Sequence, residues 1–558
     1  MAEADTGTDM SMSATSESAP ASKSRQTPKW RLSTVTGALC LGTFLFGLDV
    51  NIIGVAIPFI TTQFESLSDV SWYGSAYMLT LTAFQPLFGN LYKYFNAKTI
   101  YLASLTLFEV GSIISATANV SNTLIVGRAI LGLGAAGLLQ GALAIIGLLV
   151  PIDQVPLYIG IVVSSMVLSV CCGPVIGGAL TQYVNWQWCF WINVPAGFVV
   201  LVLVFIFVNI DQSSDKSNQA LPLRDKFHRM DIPGLVLFLG AVCCLLLALT
   251  WGGQTYPWRD SRIIGLFIGF GLLTACFCYW LVRQGDFAII PLRVLKIRSI
   301  YMGSITLVGY GILSVVYGYY LPILFQSVQG VTTTESGVRY IALVGPQIFT
   351  VVVAGAIVTT WGHYVPYMIA GGVISSIGAG LLTTVDPDTR TVAWAGYLVM
   401  TGIGLGMAAQ LPYTALQAVL DPKDVATGNA IAVFSFHLAG AIGLAIGQVL
   451  LLDGLITSVP QRTQAVTPAQ VIQAGATGLE AIASSPGVLN ALRWAYSDAV
   501  RRTIVLGLAG SCITVPAACA MDWLNIKRVA EERRLANDSE ASTGKEGTPE
   551  VRVKALDA

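Results

Sequence analysis

Apolar residues fill this chain in blocks of about 20, parted by short polar stretches. A block of that length is what a helix needs to cross the hydrocarbon core of a bilayer. The blocks fall at roughly 36–60, 72–92, 99–118, 122–148, 156–182, 189–209, 231–251, 262–282, 300–323, 337–359, 364–385, 391–413, 427–452 and 503–523. The pattern predicts an all-α polytopic membrane protein with about fourteen transmembrane helices. In the fifth block, Ser165, Ser169, Gly173 and Gly177 recur four apart and leave one helix face nearly bare, which lets another backbone come close. Pro174 removes an N–H from that helix, so a bend is expected there.

Composition narrows the class further. Of 558 residues, 54% are hydrophobic and 11% charged, against roughly 25% charged in soluble domains. Lys+Arg and Asp+Glu are both 31, so no basic excess points to nucleic acid; the bilayer is the expected partner. The ten cysteines lie in or beside apolar runs and read as small buried hydrophobes, not as a disulfide frame or a metal site. Residues 1–28 are polar and lack the apolar core of a signal peptide.

Charge position sets the expected orientation. The loops after spans two, six and eight carry Lys93 and Lys98, then Lys216, Arg224, Lys226 and Arg229, then Arg283, Arg293, Lys296 and Arg298. The opposite short loops carry none, or only Arg259, Arg262, Arg339 and Arg390. This bias places both termini in the cytoplasm. Spans four and twelve share a Gly-rich pattern (GRAILGLGAAG, TGIGLGMAAQ), as do spans five and thirteen (CCGPVIGG, LAGAIGLAIG). The constant offset implies duplicated halves with two helices inserted between them, an organisation found in transporters. The expected units are a disordered tail 1–32, a six-helix bundle 33–210, a linker with two extra helices 211–298, a second bundle 299–523 with an extracellular loop 453–502, and a disordered tail 524–558.

Three ionisable residues stand inside spans of the first half: Asp49, Glu109 and Arg128. Each is expensive in lipid, so it is expected to face the bundle interior and find a partner. Arginine keeps its proton, so one carboxylate should pair with Arg128. The other acid is then a candidate proton carrier. A pair that only locks helices together fits the same residues. Arg128, Gly132, Ala136 and Gln140 share a face of span four that suits a cavity wall. In the second half the polar groups are mostly neutral: Gln347, Gln410, Gln417, His437 and Gln448. With Tyr310, Tyr317, Tyr319, Tyr320 and Phe325 they suit a large, partly apolar ligand, although a buried glutamine also serves as a helix-to-helix hydrogen bond. Gln140, Gln347, Gln410, Gln417 and His437 are the cavity candidates.

Together these residues resemble the major facilitator superfamily, and within it the fourteen-span drug:proton antiporters, over roughly residues 33–525. Gly127-Arg128-Ala129 with Gly132 and Gly134 resembles the family's span-four motif, whose Arg is associated with proton coupling. Gly173-Pro174 with Gly177-Gly178 resembles the span-five antiporter motif. LDVNIIGVAIP, holding Asp49 and Pro58, resembles the span-one motif, and WQWCFWINVP, Trp186 to Pro195, the start of span six. The gate loop after span two departs from the pattern Gly-x-Leu-x-Asp-Arg-x-Gly-Arg-Lys. Gly89, Leu91 and Lys98 remain, but Lys93 stands in place of the acid, so the charge logic of that gate must differ.

The resemblance implies two six-helix bundles plus two helices and proton-coupled efflux of a small amphipathic compound such as a fungal secondary metabolite, toxin or drug. It implies no cofactor beyond the proton gradient, action as a monomer, and residence in the plasma membrane or, alternatively, the vacuolar membrane. Import of a nutrient or iron chelate is the alternative reading. A membrane-embedded enzyme is remote, because the spans lack the metal-binding Asp clusters or nucleophile–base pairs such enzymes need. Asn119-Val120-Ser121 is a candidate glycosylation site in an outside loop.

Overall fold

A computed structural model describes residues 28–64, 70–208, 230–253, 256–421, 424–476 and 478–543. Of the expected tail 1–32, residues 1–27 lie outside that set and Lys29 onward is already helical; the loop residues Lys216, Arg224, Lys226 and Arg229, the side chains of Pro58, Cys171 and Pro174, and residues 544–558 also lie outside it. Among the described residues the chain is almost wholly helical, and twelve helices are long and apolar enough to cross a membrane.

The first bundle holds α1 (Lys29–Phe64), α2 (Val70–Tyr94), α3 (Ala97–Ala116), α4 (Ser121–Leu149), α5 (Val155–Tyr183), the short α6 (Trp188–Trp191) and α7 (Asn193–Phe207). The inserted pair is α8 (Ile232–Trp251) and α9 (Ser261–Gln284), followed by the short α10 (Leu292–Leu295). The second bundle holds α11 (Arg298–Gln329), α12 (Thr333–Trp361), α13 (Val365–Leu382), α14 (Thr391–Ala408), α15 (Leu411–Val419), α16 (Val425–Arg462), α17 (Pro468–Ala474), α18 (Leu479–Ile482) and α19 (Pro486–Cys519). A final helix, α20, runs Ile526–Thr543. The two bundles meet along α2–α16 and α5–α12.

Three expectations change. The segment 453–502 is largely helical, because α16 and α19 project past the bilayer-length runs and leave only residues 463–485 between them. The charged stretch after Trp523 is helical to Thr543, not disordered. Its Ala, Glu, Arg and Leu residues favour helix, and the helix has anchors. Ile526 and Ala530 are buried, Arg533 donates to the carbonyls of Ala418 and Leu420 at 2.8 Å each, and Arg534 lies 3.9 Å from Asp153. Cations on the last carbonyls of α15 offset that helix's dipole. Cys276, Cys278, Cys512 and Cys519 are exposed on outer helix faces rather than buried.

The bare stripe of α5 packs on α1. Thr43 and Ser165 hydroxyls are 2.8 Å apart, and Ser169 lies against Gly47. A Cβ on Gly173 would sit 2.8 Å from that of Asn51, and one on Gly177 2.8 Å from Ile52. The stripe is therefore a seam inside one bundle. Contact with the other bundle runs along α5 and is closest near its start, where Gly160 and Gly355 bring the α5 and α12 backbones together beside Val351 and Pro156; Val175 meets Gly337 farther along.

The inserted pair covers the α2–α16 junction through Leu235, Phe238 and Val242, which pack with Ala83 and Phe434. Asp231, at the start of α8, holds it in place. This buried residue adopts a left-handed backbone (φ 49°), which Asp tolerates better than most residues. Its carboxylate accepts from Gly234 N (3.0 Å), Trp280 Nε1 (2.6 Å) and Ile289 N (2.9 Å), tying α8, α9 and the following linker together. Asp231→Ala is expected to strand the Trp280 and Ile289 donors, at about 1–3 kcal/mol each. The expected readout is a lower melting temperature in detergent and faster proteolysis between residues 285 and 297; unchanged values would refute this clasp.

Candidate functional site

Arg128 stands seven residues into α4, where the Gly-rich start of that helix lets α2 and α3 press close. Its Nη1 meets Asp49 Oδ2 of α1 at 2.5 Å, its Nε donates to the Tyr73 carbonyl at 2.8 Å, and its guanidinium lies 4.5 Å from the Tyr77 ring centroid. Both partners are essentially without solvent (1% and 0%), so Asp49 is the acid that pairs. Taking one charge away from such a pair leaves the other uncompensated, at a cost of about 3–5 kcal/mol.

Glu109 is the acid left over. It faces α7 at Gly197, and neither carboxyl oxygen has a hydrogen-bond partner among the described residues. Asn193, at the start of α7, is also fully buried, and its Nδ2 donates to Ser112 of α3 at 2.9 Å. Sequence reasoning passed over Asn193. Its signal was an amide inside the apolar run CFWINVP, beside a proline that starts a helix.

At the loop after α2, expected as the gate, the charge pairing has the opposite polarity to the family pattern. Lys93, on the first bundle, lies 3.8 Å from Asp424, at the start of α16 in the second. Arg293 of α10 reaches the other oxygen of Asp424 at 2.8 Å. Gly89 sits where any side chain would run into Ala430 and Gln140. Lys98 takes no part; its Nζ donates to the Phe205 carbonyl at 2.6 Å and caps α7, as Arg31 does at Phe207.

The cavity candidates divide. The Arg128–Gln140 face of α4 is the α2–α4 seam rather than a cavity wall. The Gln140 amide spans one turn of α2, with Nε2 donating to Gln85 O (3.1 Å) and Oε1 accepting from Gly89 N–H (2.7 Å). Gln410 donates to the Val351 carbonyl (3.0 Å), a helix-to-helix bond. Gln417 lies against Gly147 of the other bundle, and Gln347 is buried on α12. His437 joins the bundles: its Nδ1 is 3.0 Å from Gln85 Nε2 and 2.9 Å from its own helix's Val433 carbonyl. Tyr310, Tyr317, Tyr320 and Phe325 are consumed in packing, Tyr317 donating to Ile504 O and Tyr320 to Leu444 O. Tyr319 differs, being 39% exposed yet near enough to Arg128 for the two to interact. It therefore opens onto the bundle interior, not onto lipid. Asn119 is exposed in the short turn between α3 and α4.

The sequence profile described as Major Facilitator Superfamily matches residues 39–444. The chain belongs to the major facilitator superfamily. The MFS-type efflux pump MFS1 of Arthroderma benhamiae is 39% identical over 497 residues, covering 89% of this chain and 92% of that one. The efflux pump roqT of Penicillium rubens is 38% identical over 502 residues, covering 89% and 92%. The MFS-type transporter astH of Aspergillus oryzae is 38% identical over 501 residues, covering 89% and 88%. Among solved structures, the proton:xylose symporter XylE bound to 6-bromo-6-deoxy-D-glucose aligns at TM-score 0.58 and 13% identity, over 90% of this chain and 99% of that one, a likeness of fold alone. This superfamily member is a multi-pass membrane transporter related to fungal efflux pumps.

The reversed gate makes its own prediction. Lys93→Asp should oppose Asp424 with a like charge, and Asp424→Lys should oppose Arg293. The double exchange should restore attraction between the bundles, with a coupling of about 0.5–3 kcal/mol. Labelling of Asn90→Cys by a membrane-impermeant thiol reagent, above the native-cysteine background, should rise in each single variant and fall back in the double. Equal labelling in all three would sink the pairing.

Proposed function

We propose that the chain is a proton-driven exporter of a small amphipathic organic compound, of the secondary-metabolite, toxin or drug kind. One observation carries the reading: Asp49, Glu109 and Arg128 are enclosed together in the first bundle, and among the described residues only Asp49 of the two acids is paired. Groups of this kind inside a membrane bundle mark ion or proton pathways. Export rather than import is supported by the printed names of relatives at 38–39% identity, two of them efflux pumps. It is also supported by the Gly173, Pro174, Gly177, Gly178 pattern.

In this reading Asp49, Arg128 and Glu109 form the coupling centre. Tyr319 faces the substrate chamber from α11, and the Gln85–His437 contact closes it between the bundles. Protonation from outside and substrate loading from inside compete, and the bundles rock about α2–α16 and α5–α12. Lys93, Arg293 and Arg298 then mark the cytoplasmic end. Both termini lie there, in a chain that works as a monomer in the plasma membrane, with the proton gradient in place of a cofactor.

The reading is tested in two steps. Cells lacking the chain should accumulate the exported compound. Energised inside-out vesicles should then take it up, and collapse of the pH gradient should abolish uptake. Asp49→Asn combined with Glu109→Gln should also remove the gradient dependence. Uptake that runs unchanged without the gradient, or in that double variant, would falsify proton coupling.

A further inference from the structure

The α3–α7 contact holds polar atoms that the Asp49–Arg128 pair does not use. Glu109 and Ser112 lie three apart on α3, and Asn193 and Gly197 four apart on α7, so each couple shares a helix face. The two faces meet. Asn193 Nδ2 donates to Ser112 Oγ, and the Glu109 carboxyl fills the space that a Cβ on Gly197 would need. On its other side Asn193 lies alongside the Asp49 carboxylate, in reach of it but outside hydrogen-bond geometry. Glu109 and Asp49 are close enough for their charges to interact. Asn193 thus lies within reach of the Asp49 carboxylate and one turn of α7 from the Gly197 against which the Glu109 carboxyl packs.

Acceptors without donors crowd the α3–α7 side of this site, while on the α2 side the Tyr77 hydroxyl also lacks a partner among the described residues. Asp49 Oδ1, Asn193 Oδ1 and both Glu109 oxygens are buried with no donor among the described residues. Asp49 and Asn193 are 0% exposed and Glu109 7%. Buried acceptors are rarely left in such a group. An ionised carboxylate only accepts, whereas a protonated carboxyl also supplies an O–H. A single proton therefore converts a surplus acceptor into the missing donor and removes one of two neighbouring negative charges.

We propose that Asn193 is a positioning residue that, with Ser112, joins Glu109 and Asp49 into one proton-binding unit beside Arg128. Hydronium passes its proton to a Glu109 carboxylate oxygen and leaves as water. The new O–H donates to Asn193 Oδ1 or Asp49 Oδ1. The formal charge of Asp49, Arg128 and Glu109 together goes from −1 to 0. The titratable groups facing this unit are Asp49 from α1, Tyr77 from α2, Arg128 from α4 and Cys189 from α6; α7 offers only the Asn193 amide among the described residues. The unit gives the proton-driven reading its proton-holding atoms, and rests on that reading for its purpose.

The test is infrared titration of the purified full-length chain in lipid nanodiscs. A protonated-carboxyl C=O band should fade as pH rises and be absent in Glu109→Gln. Its midpoint should move by at least about one pH unit in Asn193→Leu and in the milder Ser112→Ala. Ser112→Thr, which keeps the hydroxyl, should titrate like the parent. If Asn193→Leu does not fold, Ser112→Ala decides. No such band, a band that survives Glu109→Gln, or a midpoint unmoved by the loss of Ser112 Oγ and of the Asn193 amide would overturn the proposal. A purely structural Asn193–Ser112 tie would lower stability without moving the midpoint. Gradient-independent vesicle uptake beside an intact Asn193-sensitive band would refute proton drive and leave the shared site standing. Gradient-driven uptake without the band would refute this unit alone.

Discussion

A charge cannot be left alone in oil, and the first bundle is built around that constraint. At effective dielectrics near 20, unit charges about 4 Å apart attract by on the order of 4 kcal/mol, and removing ions from water costs a similar amount or more. The Asp49–Arg128 pair is supported mainly on the arginine side, while Asp49 Oδ1 is left without a donor among the described residues. Tyr73 supplies a carbonyl for the guanidinium, and Tyr77 supplies a ring face. That demand brings α1, α2 and α4 to one point. It also explains why α4 is rich in glycine on the faces turned to its neighbours: at Gly132 the α2 backbone is already where a side chain would be.

Close packing carries the rest, because lipid tails are as apolar as leucine and give helices little reason to associate. The α1–α5 seam shows the consequence. Thr43, Gly47 and Asn51 on α1 repeat at the same spacing as Ser165, Ser169 and Gly173 on α5, so two bare faces interlock and only hydroxyl contacts interrupt them. A seam of this kind is rigid within a bundle. The junction between bundles is different in kind. Beside the packing of α5 on α12 and α2 on α16, it carries polar contacts, Gln85 with His437 and Lys93 with Asp424, that the α1–α5 seam does not.

This contrast marks what the sequence could and could not tell. Spans were legible because a twenty-residue apolar run has few other uses, and the enclosed ions were legible because charge in such a run must be explained. Which acid met Arg128 was not legible, since Asp49 and Glu109 sit at similar depths and only the third dimension separates them. The stripe on α5 was readable as a close contact, but its partner was not, and the face of α4 assigned to a cavity turned out to pack on α2. Periodicity says which residues share a face; it does not say what the face meets. Aromatic residues of α11 failed for the same reason: Tyr317 and Tyr320 look like ligand contacts in sequence but spend their hydroxyls on neighbouring helices. Helicity after Trp523 was missed because low hydrophobicity was read as disorder, while the anchoring of Arg533 on α15 is a tertiary fact.

The inserted pair poses a question that the energetics answer. It spans the junction of two bundles proposed to move apart, yet its apolar contact with α2 does not lock them. In lipid, separating Leu235 and Val242 from Ala83 exposes apolar surface to apolar solvent, and little is lost beyond packing. Polar ties cost more to break, and they are unevenly placed. Asp231 binds α8, α9 and the linker at Ile289 into one piece, and Arg293, a few residues on, binds that piece to Asp424 of the second bundle. Phe238 adds an edge contact to Phe434 on the same side. The polar ties of the pair therefore run to the second bundle, while its contacts with α2, Trp251 against Trp72 among them, are apolar. Lys93 and Arg534 are then charged contacts at that end whose partners, Asp424 and Asp153, sit across the boundary between the bundles, and reversal of the family's usual polarity at Lys93 leaves Asp424 to serve both that contact and the one with Arg293.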